Sequence, residues 1–413
     1  MSAIQKIKGF ADLFPEDARC FTHMEAQARA TFARYGFGEL RTPLLERTEL
    51  FAKGIGEDTD VVGKEMYTFT DRGDRSLTLR PEATAGVLRA AIEAGGFEQG
   101  RAARYYTFGP MFRYERPQKG RMRQFHQINA ELIGSAEPQA DVEVILMLQD
   151  FLTSLGISEL CFELNSLGCR ACRPDYRSAL TGYFEALDHE KLCEDCRRRM
   201  HTNPLRVLDC KVPACRELVK DAPEIGQHTC GSCREHFAAV LSLVDRAGLT
   251  YTLNPRLVRG LDYYQRTTFE VTSGAIGAQT AVAGGGRYDG LVQLLGGPDA
   301  PGVGFACGME RLAMLMDKPE DPRPDFFLAV TDTREGSGAL AAALLLAHKL
   351  RLRGLSGECD YAAGSMKSRL RHAGRIRARK CYIIGADELD CGQVTVKDME
   401  DGEQLKLDIA AFD

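Results

Sequence analysis

Residues 16–35 carry apolar side chains at helical spacing, with Phe21, Met24, Ala28 and Phe32 on one face, and predict an amphipathic helix. The stretch MYTFTDRGDRSLTLRP, 66–81, alternates around an Arg-Gly-Asp turn and predicts an antiparallel hairpin. RYYTFGPMFRYE, 104–115, and RQFHQINAELIG, 123–134, are two further strand-like runs, joined by the polar loop RPQKGRM. FEVTSG and AVAGGGRYDGL read as strand and turn. GFACGMERLAMLM then reads as a glycine-bounded strand running into a helix. Hairpins with helices set apart imply an antiparallel sheet, not a doubly wound one.

The pattern changes after KPEDPRP, 318–324, whose three prolines and alternating charges mark a linker. FFLAV, 326–330, is a short apolar strand, and an Ala/Leu-rich helix follows at 338–353. Then come ECDYA, 358–362, a basic helix at 365–379 and the strand CYIIG. This alternation predicts a small α/β domain of about 90 residues. There is no internal repeat and no low-complexity tract.

The 413-residue length suits two or three domains. With 44% hydrophobic and 27% charged residues the chain reads as globular, not fibrous or membrane-bound. A net charge of −5 argues against coating nucleic acid along the whole surface, and leaves room for a local basic patch. The N-terminus has no apolar run of signal-peptide length, and no stretch approaches the ~20 apolar residues of a membrane span. A cytoplasmic location is therefore expected, with the fourteen cysteines reduced or metal-bound. Eight of them fall between Cys169 and Cys233, which marks an inserted module. They are Cys169, Cys172, Cys193, Cys196, Cys210, Cys215, Cys230 and Cys233, and they include three Cys-x-x-Cys pairs. Such spacing in a reducing compartment predicts structural Zn2+, in two four-cysteine sites whose pairing stays open.

No Walker-type phosphate loop is present. The glycines at 284–286 do not open a long helix and, taken alone, predict a tight turn. Arg113, Arg259 and Arg311 each sit beside aromatic or acidic residues in strand-like context. Guanidinium forks bind phosphate oxygens in bidentate fashion, so three around one sheet would clamp a polyphosphate. Residues 365–380 hold seven basic residues and no acidic one. Lys367, Arg371, Arg375 and Arg379 recur every fourth position and predict one helical stripe, with Met366, Leu370 and Ala373 facing the core.

These stretches resemble signature motifs of class II aminoacyl-tRNA synthetases. FGELRTPLLERTELF, 37–51, is similar to motif 1, with Pro43 at its proline position. The segment around Arg113 resembles motif 2, and the one ending in Arg311 resembles motif 3. LVRGLDYY, 257–264, GGGRYDGL, 284–291, and TLRPEATA, 78–85, resemble peptides of the histidyl-tRNA synthetase family. Ala83 stands where some relatives have glycine. The likeness runs from KGFADLFP at 8–15 into the C-terminal domain.

The resemblance implies an α+β fold in four parts. A class II antiparallel-sheet catalytic core spans 1–165 and 249–320, interrupted by a mainly helical cysteine-rich insertion domain at 166–248. An α/β anticodon-binding domain follows at 325–413. It implies activation of L-histidine with ATP and Mg2+, then transfer to the 3′ end of the histidine tRNA. Arg113 and Arg259 would hold the α-phosphate as catalytic groups. Arg121 and Arg311 would neutralise the outer phosphates, Phe125 and Arg311 would sandwich adenine, and Glu115 would face its amino group. Glu82, Gln127 and Thr84 would meet the histidine ammonium. Glu131 and Tyr264 would meet the imidazole, with Tyr263 and Tyr288 lining the pocket. Arg116, Lys119 and Arg123 would approach the tRNA acceptor end, and Lys367, Arg371, Arg375 and Arg379 the anticodon arm. Motif 1 implies a homodimer, and no membrane partner is expected.

The nearest rival class is the regulatory subunit of ATP phosphoribosyltransferase. Such relatives are expected to lack the anticodon domain and the clamp arginines, whereas this chain keeps Arg113, Arg259 and Arg311. A class II enzyme for another amino acid is disfavoured by LVRGLDYY with Glu131. A zinc-binding nucleic-acid module without catalysis would leave most of the chain without a role.

Overall fold

The apolar stripe near the N-terminus forms α1, Pro15–Arg34, which buries Met24, Ala28 and Phe32 completely. Pro15 opens the helix where its missing N–H would be unpaired anyway. Glu16 and Asp17 complement the dipole in the first turn. The computed structural model describes residues 3–56, 59–97, 101–276, 281–332, 334, 337–361 and 364–412. Two units divide the chain, Met1–Pro319 and Glu320–Asp413.

In the first unit, β1 (Gly38–Glu39), β2 (Leu45–Arg47) and α2 (Thr48–Ile55) precede the expected hairpin, β3 (Tyr67–Thr70) and β4 (Ser76–Leu79). Its turn is closed by the Asp71 carboxylate, which accepts the amides of Gly73 and Arg75, each at 2.9 Å. The strand β2 joins this hairpin to make a three-stranded antiparallel sheet. Next come α3 (Thr84–Glu93), β5 (Ala103–Phe112), β6 (Gln124–Ile133), α4 (Pro138–Ser154) and β7 (Cys161–Ser166). The cysteine-rich stretch is helical: α5 (Arg173–Glu185), α6 (Glu194–Thr202), α7 (Pro213–Leu218) and α8 (Gly231–Arg246). The unit ends with β8 (Tyr251–Leu253), β9 (Gln265–Thr272), β10 (Ala281–Arg287), α9 (Leu291–Leu294), β11 (Gly302–Gly308) and α10 (Met309–Leu312).

The main sheet has eight strands in the order β1-β5-β6-β11-β10-β9-β7-β8. Neighbours from β5 to β7 are antiparallel, and the outer pairs β1/β5 and β7/β8 are parallel. Strand alternation gives the sheet two characters. On β6, Ile128, Ala130 and Leu132 enter the main core under α1 and α4. Gln127, Asn129 and Glu131 face a cleft on the other side. The register places Glu131 opposite Gly304. A one-residue slip would bury the polar set and expose the apolar one. Phe32 anchors the core, its ring 5.4 Å from Phe151 and 5.8 Å from Phe305.

The glycines at 284–286 differ from expectation. They lie inside β10, and the turn comes later, with Gly290 at φ +83°. Close approach is the reason for glycine here: a Cβ on Gly285 would overlap the Gly304 carbonyl and the Phe269 ring.

In the second unit, β12 (Phe326–Val330), α11 (Ala339–Leu352), β13 (Gly357–Asp360), α12 (Met366–Arg375) and β14 (Lys380–Ile384) follow the expected alternation. The last residue of ECDYA, Ala362, lies outside the described residues. A closing hairpin, β15 (Gln393–Asp398) and β16 (Gln404–Asp408), was not foreseen; it pairs antiparallel onto β14. The sheet order is β13-β12-β14-β15-β16.

The basic helix is shorter than its charge pattern implies. It stops at Arg375, Arg377 turns left-handed at φ +56°, and the Ala378 amide closes back onto the Ala373 carbonyl. The chain must reverse there because β14 begins pairing with β12 at Lys380. Arg379 therefore lies off the helix, its amide bonded to the Pro324 carbonyl. Arg369 is no solvated charge either: it is buried, 3.4 Å from Asp360.

Candidate active site

A cleft of about 1350 Å³ lies over the polar face of the eight-stranded sheet. Thirteen of the residues singled out for histidine and ATP line it, so groups remote in sequence share one cavity. Positions 82 and 84 lie just before and at the start of α3, 113–131 in the loop between β5 and β6 and in β6, 259–264 in the segment before β9, 288 in the turn after β10, and 311 in α10.

The guanidinium groups are held by the protein's own carbonyls and carboxylates. Arg113 Nε donates to the Pro81 carbonyl at 2.8 Å, and its guanidinium lies 5.4 Å from the Phe125 ring centre. Burial lowers the Arg113 pKa below its ordinary value, against the pull of Glu65 and Glu82. Arg121 pairs with Glu115. Arg311 Nε donates to Gly120 O at 3.0 Å and Nη1 donates to Ala281 O, so it ties the loop between β5 and β6 to the start of β10. In this state Arg113, not Arg311, lies against Phe125. Arg259 pairs with Glu270 at 2.6 Å. Its guanidinium occupies the space above Gly284, where any side chain would displace it. Burial alone would lower the Arg259 pKa, but Tyr264 and Glu270 carry it above its ordinary value.

The adjoining pocket is built of acids and phenols. Both Glu82 oxygens accept backbone amides, from Thr84 at 2.6 Å and Ala85 at 3.0 Å, which caps α3. Glu131 accepts the Thr84 hydroxyl at 2.7 Å on one oxygen and the Tyr288 hydroxyl at 2.7 Å on the other. Gly304, across the strand pair, leaves room for that carboxylate to lie on the sheet. Burial pushes Glu131 up to about 8, against its two hydroxyl donors. Burial likewise raises Glu82, Tyr263 and Tyr288. The Tyr263 ring sits 4.6 Å from Tyr264 and 5.9 Å from Tyr288. Gln127 Oε1 and Asn129 Oδ1 are buried without a hydrogen-bond partner among the described residues. Unpaired buried acceptors are costly, so a ligand with N–H donors suits this floor.

Glu270 and Asn129 were missed by sequence reasoning. Alternation on β9 could have found Glu270, since Phe269 and Val271 point into the core on either side of it. Asn129 shares the parity of Gln127 and Glu131.

The remaining candidates lie elsewhere. Arg116 and Lys119 are exposed. Arg123 is drawn back onto the protein, 3.8 Å over the Tyr114 ring and donating to Glu115 O at 3.1 Å. In the second unit, Lys367, Arg371 and Arg375 are exposed on α12, and Arg379 is exposed beyond it. The eight insert cysteines form two groups, Cys169/Cys172/Cys230/Cys233 and Cys193/Cys196/Cys210/Cys215. Within each group the ligand atoms all lie within 4.8 Å of one another. The Cys230 amide donates to Cys172 Sγ at 3.1 Å, and the Cys193 amide to Cys215 Sγ at 3.2 Å. Burial opposes ionisation of Cys169, but the Cys172 amide and neighbouring groups bring its thiol down to about 7.

An antiparallel sheet with a cation-rich cleft on one face, and a separate α/β unit, is the arrangement expected of a class II aminoacyl-tRNA synthetase. The sequence model described as Histidyl-tRNA synthetase matches residues 9–312, and that described as Anticodon binding domain matches 329–412. The chain belongs to the histidyl-tRNA synthetase family. The histidine–tRNA ligase of Maridesulfovibrio salexigens is 62% identical over 406 residues, covering 98% of each chain. That of Oleidesulfovibrio alaskensis is 60% identical over 414 residues, covering 100% of this chain and 98% of the other. The crystal structure of apo S. aureus histidyl-tRNA synthetase superposes with a TM-score of 0.79 at 35% identity, covering 99% of this chain and 98% of that one. Ligation of histidine to tRNA with ATP is the family's reaction.

Proposed function

We propose that the cleft performs this reaction with the thirteen groups in the roles the family resemblance implies. The observation that carries the reading is the shared cavity: Arg113, Arg259 and Arg311 open into the same space as the Glu131–Tyr288–Thr84 cluster. The histidine carboxylate attacks the α-phosphorus of ATP, and pyrophosphate leaves. Arg113 and Arg259 stabilise the charge gathering on that phosphoryl group, while Arg121 and Arg311 take the outer phosphates. Magnesium enters with ATP as part of the substrate. Arg311 stacks on adenine opposite Phe125, and Arg113, which now lies 5.4 Å from that ring, turns to the α-phosphate. The tRNA terminal hydroxyl then attacks the mixed anhydride, and AMP leaves. Glu131 accepts an imidazole N–H. A pocket made to hydrogen-bond a polar side chain rejects apolar amino acids by roughly 10⁴–10⁵ without editing. ATP–pyrophosphate exchange with each of the twenty amino acids tests this. Histidine alone should support exchange; exchange with another amino acid, or with none, sinks the reading.

The exposed Lys367, Arg371 and Arg375 contact the phosphates of the anticodon arm, with Arg116 and Lys119 toward the acceptor end. Two copies pair through the segment 37–51, where Leu44 and Leu45 are exposed, at 41% and 42%. Light scattering should give twice the 45.6 kDa chain mass; a monomer across concentrations counts against pairing.

Each four-cysteine group holds one structural zinc. The Sγ separations of 3.6 Å (Cys169–Cys172) and 3.9 Å (Cys172–Cys233, Cys193–Cys210) support this. They match the edge of about 3.8 Å expected for a tetrahedron with Zn–S near 2.3 Å. They are far from the roughly 2.05 Å of a disulfide. Metal analysis should find two zinc ions per chain. Zinc-free protein with freely titratable thiols removes the proposal.

A further inference from the structure

The two cysteine groups stand in different relations to the cleft. Cys193 and Cys210 line it directly. The other group touches the histidine pocket from behind, through the residues next to its cysteines. Gly168 leads into that group at φ +60°, and a Cβ there would collide with Cys172 Cβ. The Gly168 carbonyl accepts the Arg266 amide at 2.8 Å, and the Leu167 amide donates to Arg266 O at 2.7 Å. Arg173, adjacent to Cys172 at the start of α5, donates from Nη1 to Asp262 O at 3.0 Å and from Nη2 to Tyr264 O. Both ends of the segment 262–266 are therefore gripped by residues within two positions of a cysteine. This segment carries Tyr263 and Tyr264, which wall the pocket beside Glu131. Residues 167–172 have no helix or strand of their own; besides the Arg266 pairing, four thiol groups from two chain segments converge on them.

We propose that zinc in the Cys169/Cys172/Cys230/Cys233 group buttresses the histidine pocket, and that Arg173 is the positioning residue through which it sets the Tyr263–Tyr264 wall. The metal half rests on the zinc reading above; the positioning half stands on the Arg173 contacts. Arg173 touches no reacting atom; its effect falls first on histidine, and more weakly on ATP through Arg259, whose guanidinium lies 5.7 Å from the Tyr264 ring.

The test measures zinc content, melting temperature, and separate KM values for histidine and ATP in pyrophosphate exchange, all on the full chain. Arg173→Ala should keep both zinc ions and raise the histidine KM by roughly 10- to 100-fold, the scale of a misplaced binding wall. Its ATP KM should rise several-fold less, because Arg113, Arg121 and Arg311 lie off this segment. Arg173→Lys, whose ammonium still donates to a carbonyl, should recover part of the loss. Histidine should protect Arg173→Ala less against thermal unfolding than it protects wild type. Cys230→Ser, at an exposed position, should lose one zinc and reproduce the histidine-selective rise. A normal histidine KM in zinc-replete Arg173→Ala overturns the positioning half. So does a parallel rise of both KM values with a fallen melting temperature. A zinc-free wild type overturns the metal half whatever Arg173 does.

Discussion

The cleft of the first unit and the basic face of the second gather positive charge in opposite ways. In the cleft, Arg113, Arg259 and Arg311 are anchored to carbonyls or to Glu270 at distances fixed by a sheet. On α12, Lys367, Arg371 and Arg375 stand in solvent. A preorganised cation in a low-dielectric cavity stabilises developing charge without moving at the moment of reaction. A solvated cation attracts phosphate over a distance, loosely and under salt screening. The first arrangement suits chemistry and the second suits docking, and their variants should separate on that line.

The largest effect is expected in the cleft. Arg259→Ala should leave the fold intact and cut adenylate formation by about 10²–10³, the cost of losing one preorganised charge partner. Wild-type exchange in that variant would erase the distinction between the two kinds of cation.

Next comes Glu131→Gln. It should raise the histidine KM by roughly 3- to 10-fold, the scale of one lost hydrogen bond to a neutral carboxyl, with ATP KM little changed. It should also change stability with a definite sign. The Glu131 pKa is raised from 4.5 to about 8 in the folded chain. Between those values the native state holds a proton that the unfolded chain releases. Its contribution is fully present below pH 4.5 and lost as pH climbs through about 8. Glutamine does not titrate, so the melting temperature of the variant relative to wild type should climb between pH 5 and pH 8. A pH-independent difference would mean that Glu131 is ionised throughout.

A smaller, salt-dependent effect is expected on the second unit. Lys367, Arg371 and Arg375 replaced together by alanine should weaken tRNA binding. The salt slope should fall by about 2, at roughly 0.7 per lost single-strand phosphate contact. The histidine KM in tRNA-independent exchange should not move. Arg379→Ala should do least, since that residue leaves the stripe after the turn at Arg377. An Arg379 effect equal to that of Arg371 would restore the four-residue stripe.

Much of this was legible along the chain because it depends on local pattern. The α1 stripe, the β3–β4 hairpin and the alternation of β5 and β6 follow from side-chain period, which neighbours in sequence settle between themselves. The residues assigned to histidine and ATP could be named for another reason: the resemblance supplied their positions, and the fold gathers them in one cleft. Glu270 escaped because a lone carboxylate on a strand gives no sign of the arginine, eleven residues away, that it pairs with.

By itself, the order of residues determined most element types, though not β10 or the β15–β16 hairpin, together with the break near 318–324, the cysteine-rich stretch and the family. Only the folded sheet decided the rest. It placed Gly284 beneath Arg259 and Gly304 beside Glu131, and turned an expected glycine turn into the floor of a cavity. It sorted eight cysteines into two groups, and it ended a basic helix where a neighbouring strand began. The physical reason is common to all of these. Close approach between distant segments is set by strand register and packing, and neither is written in the spacing of any one segment.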